Sequence, residues 1–196
     1  MVHDMRIISG KFKGKKLIAP AGSQTRPTSD RVKENMFNLL QSVINEMNIA
    51  ECVVLDLYAG SGALGLEALS RGFQRVFFVE NNKEAVLCIQ KNLSTFLLQE
   101  GVFHICQTSV DDFFCLKRPI LKEKFHLIFA DPPYDSSWYL KGLEQIESSN
   151  LCHTPCHVVL EMNKSTTIPE RENWTLTKSR TYGKTKIEIW TYRGFS

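Results

Sequence analysis

Phe125-His126-Leu127-Ile128-Phe129-Ala130-Asp131-Pro132-Pro133-Tyr134 is the stretch on which the fold turns. Its first half is bulky, mostly apolar and free of Gly or Pro, the composition of a strand buried within a sheet. Pro132 and Pro133 then end it. Proline has no N–H for the ladder and fixes φ, so the chain enters a rigid turn just past the strand's C-terminal edge. Open α/β sheets bind their ligands at that edge. Asp131, the Pro132 carbonyl and the Tyr134 ring are presented there together. Two acceptors and a stacking face suit a planar ring carrying an exocyclic amino group. Taken alone, Asp-Pro is also a common turn dipeptide, so the surrounding chain has to decide between a plain turn and a site.

Upstream, Cys52–Leu57 reads as a buried strand. Tyr58-Ala59-Gly60-Ser61-Gly62-Ala63-Leu64-Gly65 is a tight glycine loop opening a helix to Arg71, which Gly72 ends. Strand Arg75–Glu80, a helix from Lys83 to Leu98, strand Val102–Gln107 and an amphipathic piece at Asp111–Leu116 lead to the quoted stretch. Beyond it come a helix over Trp138–Ile146, a strand at His157–Met162, and two alternating runs from Trp174 to Tyr192 folded about Tyr182-Gly183-Lys184-Thr185. Strands alternating with helices at this rhythm predict a Rossmann-like α/β fold: a mostly parallel seven-stranded sheet with an antiparallel C-terminal hairpin.

The N-terminal end is of another kind. Met5–Ile8 and Lys15–Ile18 are short β-type runs around a turn rich in Gly and Lys that contains Phe12, which predicts a small β-hairpin extension over residues 1–30 ahead of the main α/β domain over 31–196. Residues 1–33 hold eight Lys/Arg against Asp4 and Asp30, a local charge of +6 in a chain of net +3. Concentrated basic charge with an aromatic among the lysines suits a nucleic-acid backbone and its bases, although a solvated basic face accounts for many such runs. Thr28-Ser29-Asp30 supplies capping side chains for a helix whose apolar face is Val32, Met36, Phe37, Leu40, Ile44 and Met47. Arg31 and Lys33 fall in its first turn, where the helix dipole disfavours cations, a placement that makes more sense beside an anionic ligand.

Gly60, Gly62 and Gly65 satisfy G-x-G-x-x-G, and Glu80 ends the next strand 18 residues after Gly62. Glycines let backbone N–H groups approach a ligand, and a carboxylate one strand away can accept both hydroxyls of a ribose. That much fits any nucleotide-like cofactor, a nicotinamide dinucleotide included. Asp56, at the mouth of the first strand, would repel a pyrophosphate but suits a cofactor carrying an ammonium and a sulfonium. S-adenosylmethionine is such a molecule.

Asp56-Leu57-Tyr58-Ala59-Gly60-Ser61-Gly62, Glu80 and Asp131-Pro132-Pro133-Tyr134 together resemble the class I S-adenosylmethionine-dependent methyltransferases that act on exocyclic amino groups. Met5–Gly14, Thr25–Glu34 and Tyr182-Gly183-Lys184-Thr185 are similar to blocks of the bacterial RsmD-like 16S ribosomal RNA guanine-N2 methyltransferases, over nearly the whole chain. The resemblance implies methyl transfer to N2 of a guanine in small-subunit ribosomal RNA, with Asp131, Pro132 and Tyr134 catalytic and Asp56, Tyr58, Gly60, Gly62, Glu80, Ser109, Val110 and Asp131 around S-adenosylmethionine. Arg6, Lys11, Lys13, Lys15, Arg26 and Arg31 are then the expected RNA contacts. Where the family usually places an acidic or amide residue for the adenine amino group, this chain has Thr108-Ser109-Val110 followed by Asp111 and Asp112, leaving Ser109 or Asp111 as the acceptor. An adenine-N6 methyltransferase on RNA or DNA would use the same tetrapeptide, and a non-catalytic RNA-binding module for ribosome assembly could keep the same fold.

At 196 residues, 43% hydrophobic and 23% charged, the composition is that of an ordinary globular domain, with no apolar run long enough to span a bilayer. The polar, basic N-terminus has no signal-peptide core, so a cytoplasmic protein is expected, acting as a monomer on the 16S rRNA of the small ribosomal subunit or an assembly intermediate. Six scattered cysteines fit reduced core thiols. Cys152-His153-Thr154-Pro155-Cys156-His157 packs four potential ligands together, but the spacing matches no standard zinc pattern and no metal is expected.

Overall fold

The computed structural model describes residues 5–20, 30–115, 123–132 and 137–194. In chain order the elements are β1 (Met5–Arg6), β2 (Lys16–Leu17), α1 (Asp30–Ile44), β3 (Val53–Leu57), α2 (Ala63–Arg71), β4 (Arg75–Glu80) and α3 (Lys83–Ser94). There follow β5 (Phe103–Gln107), α4 (Val110–Cys115), β6 (Phe125–Ala130), α5 (Ser137–Ser148), β7 (Cys152–Asn163), β8 (Trp174–Tyr182) and β9 (Thr185–Tyr192). β1 and β2 pair antiparallel as the predicted hairpin, and the other seven strands form one sheet in the order β5-β4-β3-β6-β7-β9-β8. β3 to β7 are parallel to one another, while β9 runs antiparallel to both β7 and β8. After β3 the chain steps one way to β4 and β5, then returns to the other side for β6. The crevice of this sheet therefore opens at the carboxyl ends of β3 and β6.

Strand alternation divides the core in two. Val54, Val76, Phe78, Leu127 and Phe129 pack with Phe37, Leu40, Leu66, Ile89 and the hairpin residues Met5, Ile7 and Leu17 on one face. Val53, Leu55, Leu57, Phe77, Val79 and Ile128 pack with Phe113, Tyr139, Leu143 and Ile146 on the other. Among the described residues, no helix is long and apolar enough to cross a membrane.

Two elements depart from their expected bounds by more than two residues, and a third from its expected face. α3 stops at Ser94 rather than Leu98, because the Ser94 and Thr95 hydroxyls donate to the carbonyls of Lys91 and Asn92 while Phe96 turns into the core. β7 starts at Cys152 rather than His157, and its pairing with β6 is irregular between Phe125 and Leu127. α1 is rotated from the expected face: Lys33, Met36, Phe37, Leu40 and Val43 are its buried residues, while Val32, Ile44 and Met47 are only partly buried. The expected capping side chains of Thr28 and Ser29 lie outside the described residues.

Lys33 was expected to face an anionic ligand; instead it is 1% exposed and part of a network that fastens the hairpin to α2. Its Nζ donates to the Arg6 carbonyl and lies 3.7 Å from Glu67 Oε2 and 3.9 Å from Asp30 Oδ1. Burial pulls the ammonium pKa below its usual value, against the opposing charges of Glu67 and Asp30. Glu67, itself fully buried, accepts from the N–H groups of Ile8 and Ser9 and from Arg71 Nε, so both hairpin and helix converge on one carboxylate. Gly10 comes so close to α2 that a Cβ there would stand 1.8 Å from the Ser70 carbonyl oxygen.

Candidate active site

The site is built from three strand ends. In register, Asp56 of β3 lies opposite Phe78 of β4 and Phe129 of β6. Glu80 and Asp131 each come two residues later on those neighbours, so the same alternation that buries Phe78 and Phe129 sends all three carboxylates to one face at one edge. Asp56 is 2% exposed, and its Oδ2 accepts from the Gly65 N–H at 2.9 Å. Burial pushes its carboxyl up to about 8, with the Gly65 N–H pulling the other way and the Glu80 and Asp131 charges adding to the rise. Three acids that repel one another at a sheet crevice make a place that favours a cation and disfavours a pyrophosphate.

The glycine loop is held just above them. Tyr58 (φ 58°), Gly60 (φ 56°) and Gly62 (φ 77°) are all left-handed. For a bulky residue such as Tyr58 this costs about 1–3 kcal/mol and persists only where the surroundings fix it, as at ligand clamps. Its ring packs edge-on against Trp138 of α5 with centroids 5.3 Å apart, and burial with the nearby Asp111 charge raises its phenol pKa. Glu80 Oε2 accepts from the Gly60 N–H and Oε1 from the Asn82 N–H, both at 2.8 Å, leaving each oxygen one more lone pair for a ligand hydroxyl. Gly62 N-caps α2, where the first N–H groups have no intrahelical acceptor. Gly65 serves packing: a Cβ there would meet the Phe78 ring at 2.3 Å and Val76 at 2.7 Å, so only glycine lets α2 lie this close to β4.

Asp131 is partly exposed and Pro132 buried directly after β6. Tyr134, like Pro133, lies outside the described residues. Ser109 caps the start of α4, its hydroxyl accepting from the Asp112 N–H at 3.0 Å and donating to Asp112 Oδ2 at 2.8 Å. Asp111 Oδ1 accepts from Gln145 on α5 at 2.6 Å, and Val110 is buried in the core. Trp138 is an addition that sequence reading passed over as a helix residue; its Nε1 is a buried donor without a hydrogen-bond partner among the described residues.

The expected RNA contacts divide into committed and available cations. The Arg6 side chain pairs with Asp30 at 3.3 Å. Lys15 donates to the Thr95 carbonyl and lies 4.5 Å from the Phe96 ring centre, while Lys11 lies 4.7 Å from that of Phe12. Phe12 meets Phe96 edge-on at 4.7 Å and is half-buried, so it packs the hairpin onto the turn that follows α3 rather than standing clear. Lys11, Lys13 and Arg31 are exposed, and Arg26 lies outside the described residues. In the cysteine–histidine cluster Cys152 and Cys156 are buried against each other, while the two histidines turn elsewhere: His153 stacks on His126 with ring centroids 4.2 Å apart, and His157 bonds Thr191.

Comparison with known proteins puts these features in context. The family described as Conserved hypothetical protein 95 matches residues 5–191. Ribosomal RNA small subunit methyltransferase D of Haemophilus influenzae is 36% identical over 180 residues, covering 92% of this chain and 90% of its own. The protein of the same name from Escherichia coli K12 is 30% identical over 187 residues, covering 95% and 89%. A solved Escherichia coli structure, yhhF, is 29% identical and superposes with a TM-score of 0.80 over 98% of this chain and 99% of its own.

Proposed function

The chain belongs to the RsmD-like family of small-subunit ribosomal RNA methyltransferases, the one described as Conserved hypothetical protein 95, and on that premise we propose that it methylates the exocyclic N2 of a guanine in 16S ribosomal RNA, in the cytoplasm, with S-adenosylmethionine as donor. The observation that carries this reading is the convergence of Asp56, Glu80 and Asp131 at the crevice, with burial and their mutual repulsion lifting Asp56 to about 8. Such a site fits a cationic cofactor with a ribose. When bound, S-adenosylmethionine supplies an electrophilic methyl group on a sulfonium.

The protein's own residues do the rest. A guanine N2 is a weak nucleophile because its lone pair is shared with the ring. Asp131 and the Pro132 carbonyl accept its two N–H groups, which draws the nitrogen towards tetrahedral geometry and frees the lone pair for the methyl carbon. The nitrogen gains positive charge as the new N–C bond forms, and the Asp131 carboxylate stabilises that charge and takes the proton the nitrogen then loses. The base must leave its stack to arrive there, and Tyr134 is assigned to replace the lost stacking.

Labelled S-adenosylmethionine incubated with small-subunit particles from cells lacking this protein is expected to yield labelled N2-methylguanosine in 16S rRNA after nucleoside digestion. Labelled N6-methyladenosine would make the chain an adenine enzyme, and no label would leave a binding module. Lys11 and Lys13, exposed at the hairpin turn, are assigned to the RNA backbone. Replacing both with Ala is expected to weaken RNA binding while lowering the slope of log K against log salt by about 2, one for each phosphate no longer neutralised. An unchanged slope in filter-binding titrations would return this face to simple solvation.

A further inference from the structure

Asn92 is a polar residue on the buried side of α3, whose other buried positions are Ala85, Val86, Cys88, Ile89 and Leu93. It is 1% exposed, and a buried amide is unfavourable unless its bonds are made. They are made to two elements distant in sequence. Oδ1 accepts from the Ile18 N–H at 2.8 Å, and Nδ2 donates to the Ile18 carbonyl at 3.0 Å and to the Ser61 carbonyl at 2.9 Å. One side chain thus binds the residue leaving the basic hairpin and the middle of the glycine loop.

The Ser61 carbonyl and the Gly62 N–H belong to one rigid peptide plane. Asn92 holds the oxygen side of that plane, and on the other side the Gly62 N–H donates to the Ala59 carbonyl at 2.7 Å. Glu80 holds the preceding part of the loop through the Gly60 N–H. The left-handed turn at Gly62, from which α2 and its N–H groups start, is therefore clamped from α3 as well as from β4. We propose that Asn92 is a positioning residue for the cofactor: it orients the 61–62 peptide plane of the glycine loop and locks that plane to the hairpin, so that loop geometry and hairpin position are set together. This rests on the cofactor reading above, and it gives Asn92 a role that a packing residue would not have.

Isothermal titration with S-adenosylhomocysteine, the demethylated form of the proposed donor, tests it. Asn92→Asp keeps the acceptor for Ile18 and loses both N–H donors; Cys88→Ala removes a neighbouring thiol that bonds the same Ile18 carbonyl and lies 3.7 Å from Asn92 Nδ2, and keeps the Asn92 bond to the Ser61 carbonyl. Asn92→Asp is expected to weaken binding about tenfold or more, the scale of one lost buried hydrogen bond, and to raise the cofactor KM with kcat at saturation within threefold. Cys88→Ala is expected to stay within twofold of wild type in both readings even where its melting temperature falls. Should Asn92→Asp not fold, the uncharged Asn92→Ala is read in its place. Wild-type affinity in the Asn92 variant that folds, or an equal loss in Cys88→Ala, would overturn the positioning role. If wild type itself fails to bind S-adenosylhomocysteine, the cofactor reading falls first and this inference with it.

Discussion

Asp131→Ala is expected to reduce methyl transfer by about 10³-fold or more, the scale reached when an electrostatic partner of a transition state is removed, while S-adenosylhomocysteine binding stays within a few-fold of wild type. The split follows from where Asp131 stands. It comes directly after β6, on the far side of the crevice from the loop that Glu80 and Asn92 hold, with the buried Pro132 fixing the backbone behind it. The proposed reaction uses the Asp131 charge as positive charge grows on the nitrogen, whereas S-adenosylhomocysteine carries no sulfonium for the three acids to favour, so its binding draws little on Asp131. Asp131→Asn, which retains an acceptor but no charge and no base, is expected to fall between wild type and Ala. Radiolabel transfer to small-subunit particles measures turnover, and calorimetry measures binding. Lost binding with turnover largely kept would move Asp131 to the cofactor side and leave the amino group without its acceptor.

The second large effect is on stability. Glu67→Ala is expected to destabilise the fold by about 3–5 kcal/mol, since breaking a buried pair strands the partner charge, and so to lower the melting temperature by roughly 10 °C for a chain of this size. Glu67 is fully buried, and its loss leaves Lys33, 1% exposed, to the Arg6 carbonyl and the more distant Asp30, and strands the N–H groups of Ile8 and Ser9. Lys33→Met combined with Glu67→Leu is expected to cost less than the two single changes added together, because the pair is removed as a unit. Additive losses in thermal unfolding would show that the two groups are energetically independent. The network also bears on how the basic end can be probed: deleting residues 1–33 removes Met5, Ile7 and Leu17 from the core as well as the cations, so point changes at Lys11 and Lys13 separate charge from folding where truncation does not.

Sequence reading reached furthest where local pattern and tertiary demand agree. β4 runs over Arg75–Glu80 as expected, and the glycine loop, Glu80 and the end of β6 stand where period-two strands broken by Gly or Pro put them. It failed where a residue's role depends on a partner far along the chain. Lys33 reads as an exposed first-turn cation beside an anionic ligand, and only Glu67, brought against it by the packing of α1 on α2, makes it a core residue. Phe12 reads as a free ring among lysines until Phe96 covers its edge. Asp56 was legible as a site acid, but its bond to Gly65 beneath the loop was not, because the turn that brings that N–H back depends on three left-handed residues. Asn92 carried the clearest overlooked signal: an amide on the apolar side of a helix needs an explanation, and here it is the loop.

The hairpin turn meets α2 at Ser70, while Gly62 starts the same helix at its other end. Nine residues of helix span about 13 Å, the rise of roughly four stacked nucleotides in one strand. With Glu67 bolting the turn to the helix, that separation behaves as a fixed calliper. On the proposed function, a guanine would reach the crevice only with the phosphates a set number of steps along its strand meeting the lysines, so that the spacing of the substrate would be measured as well as its base.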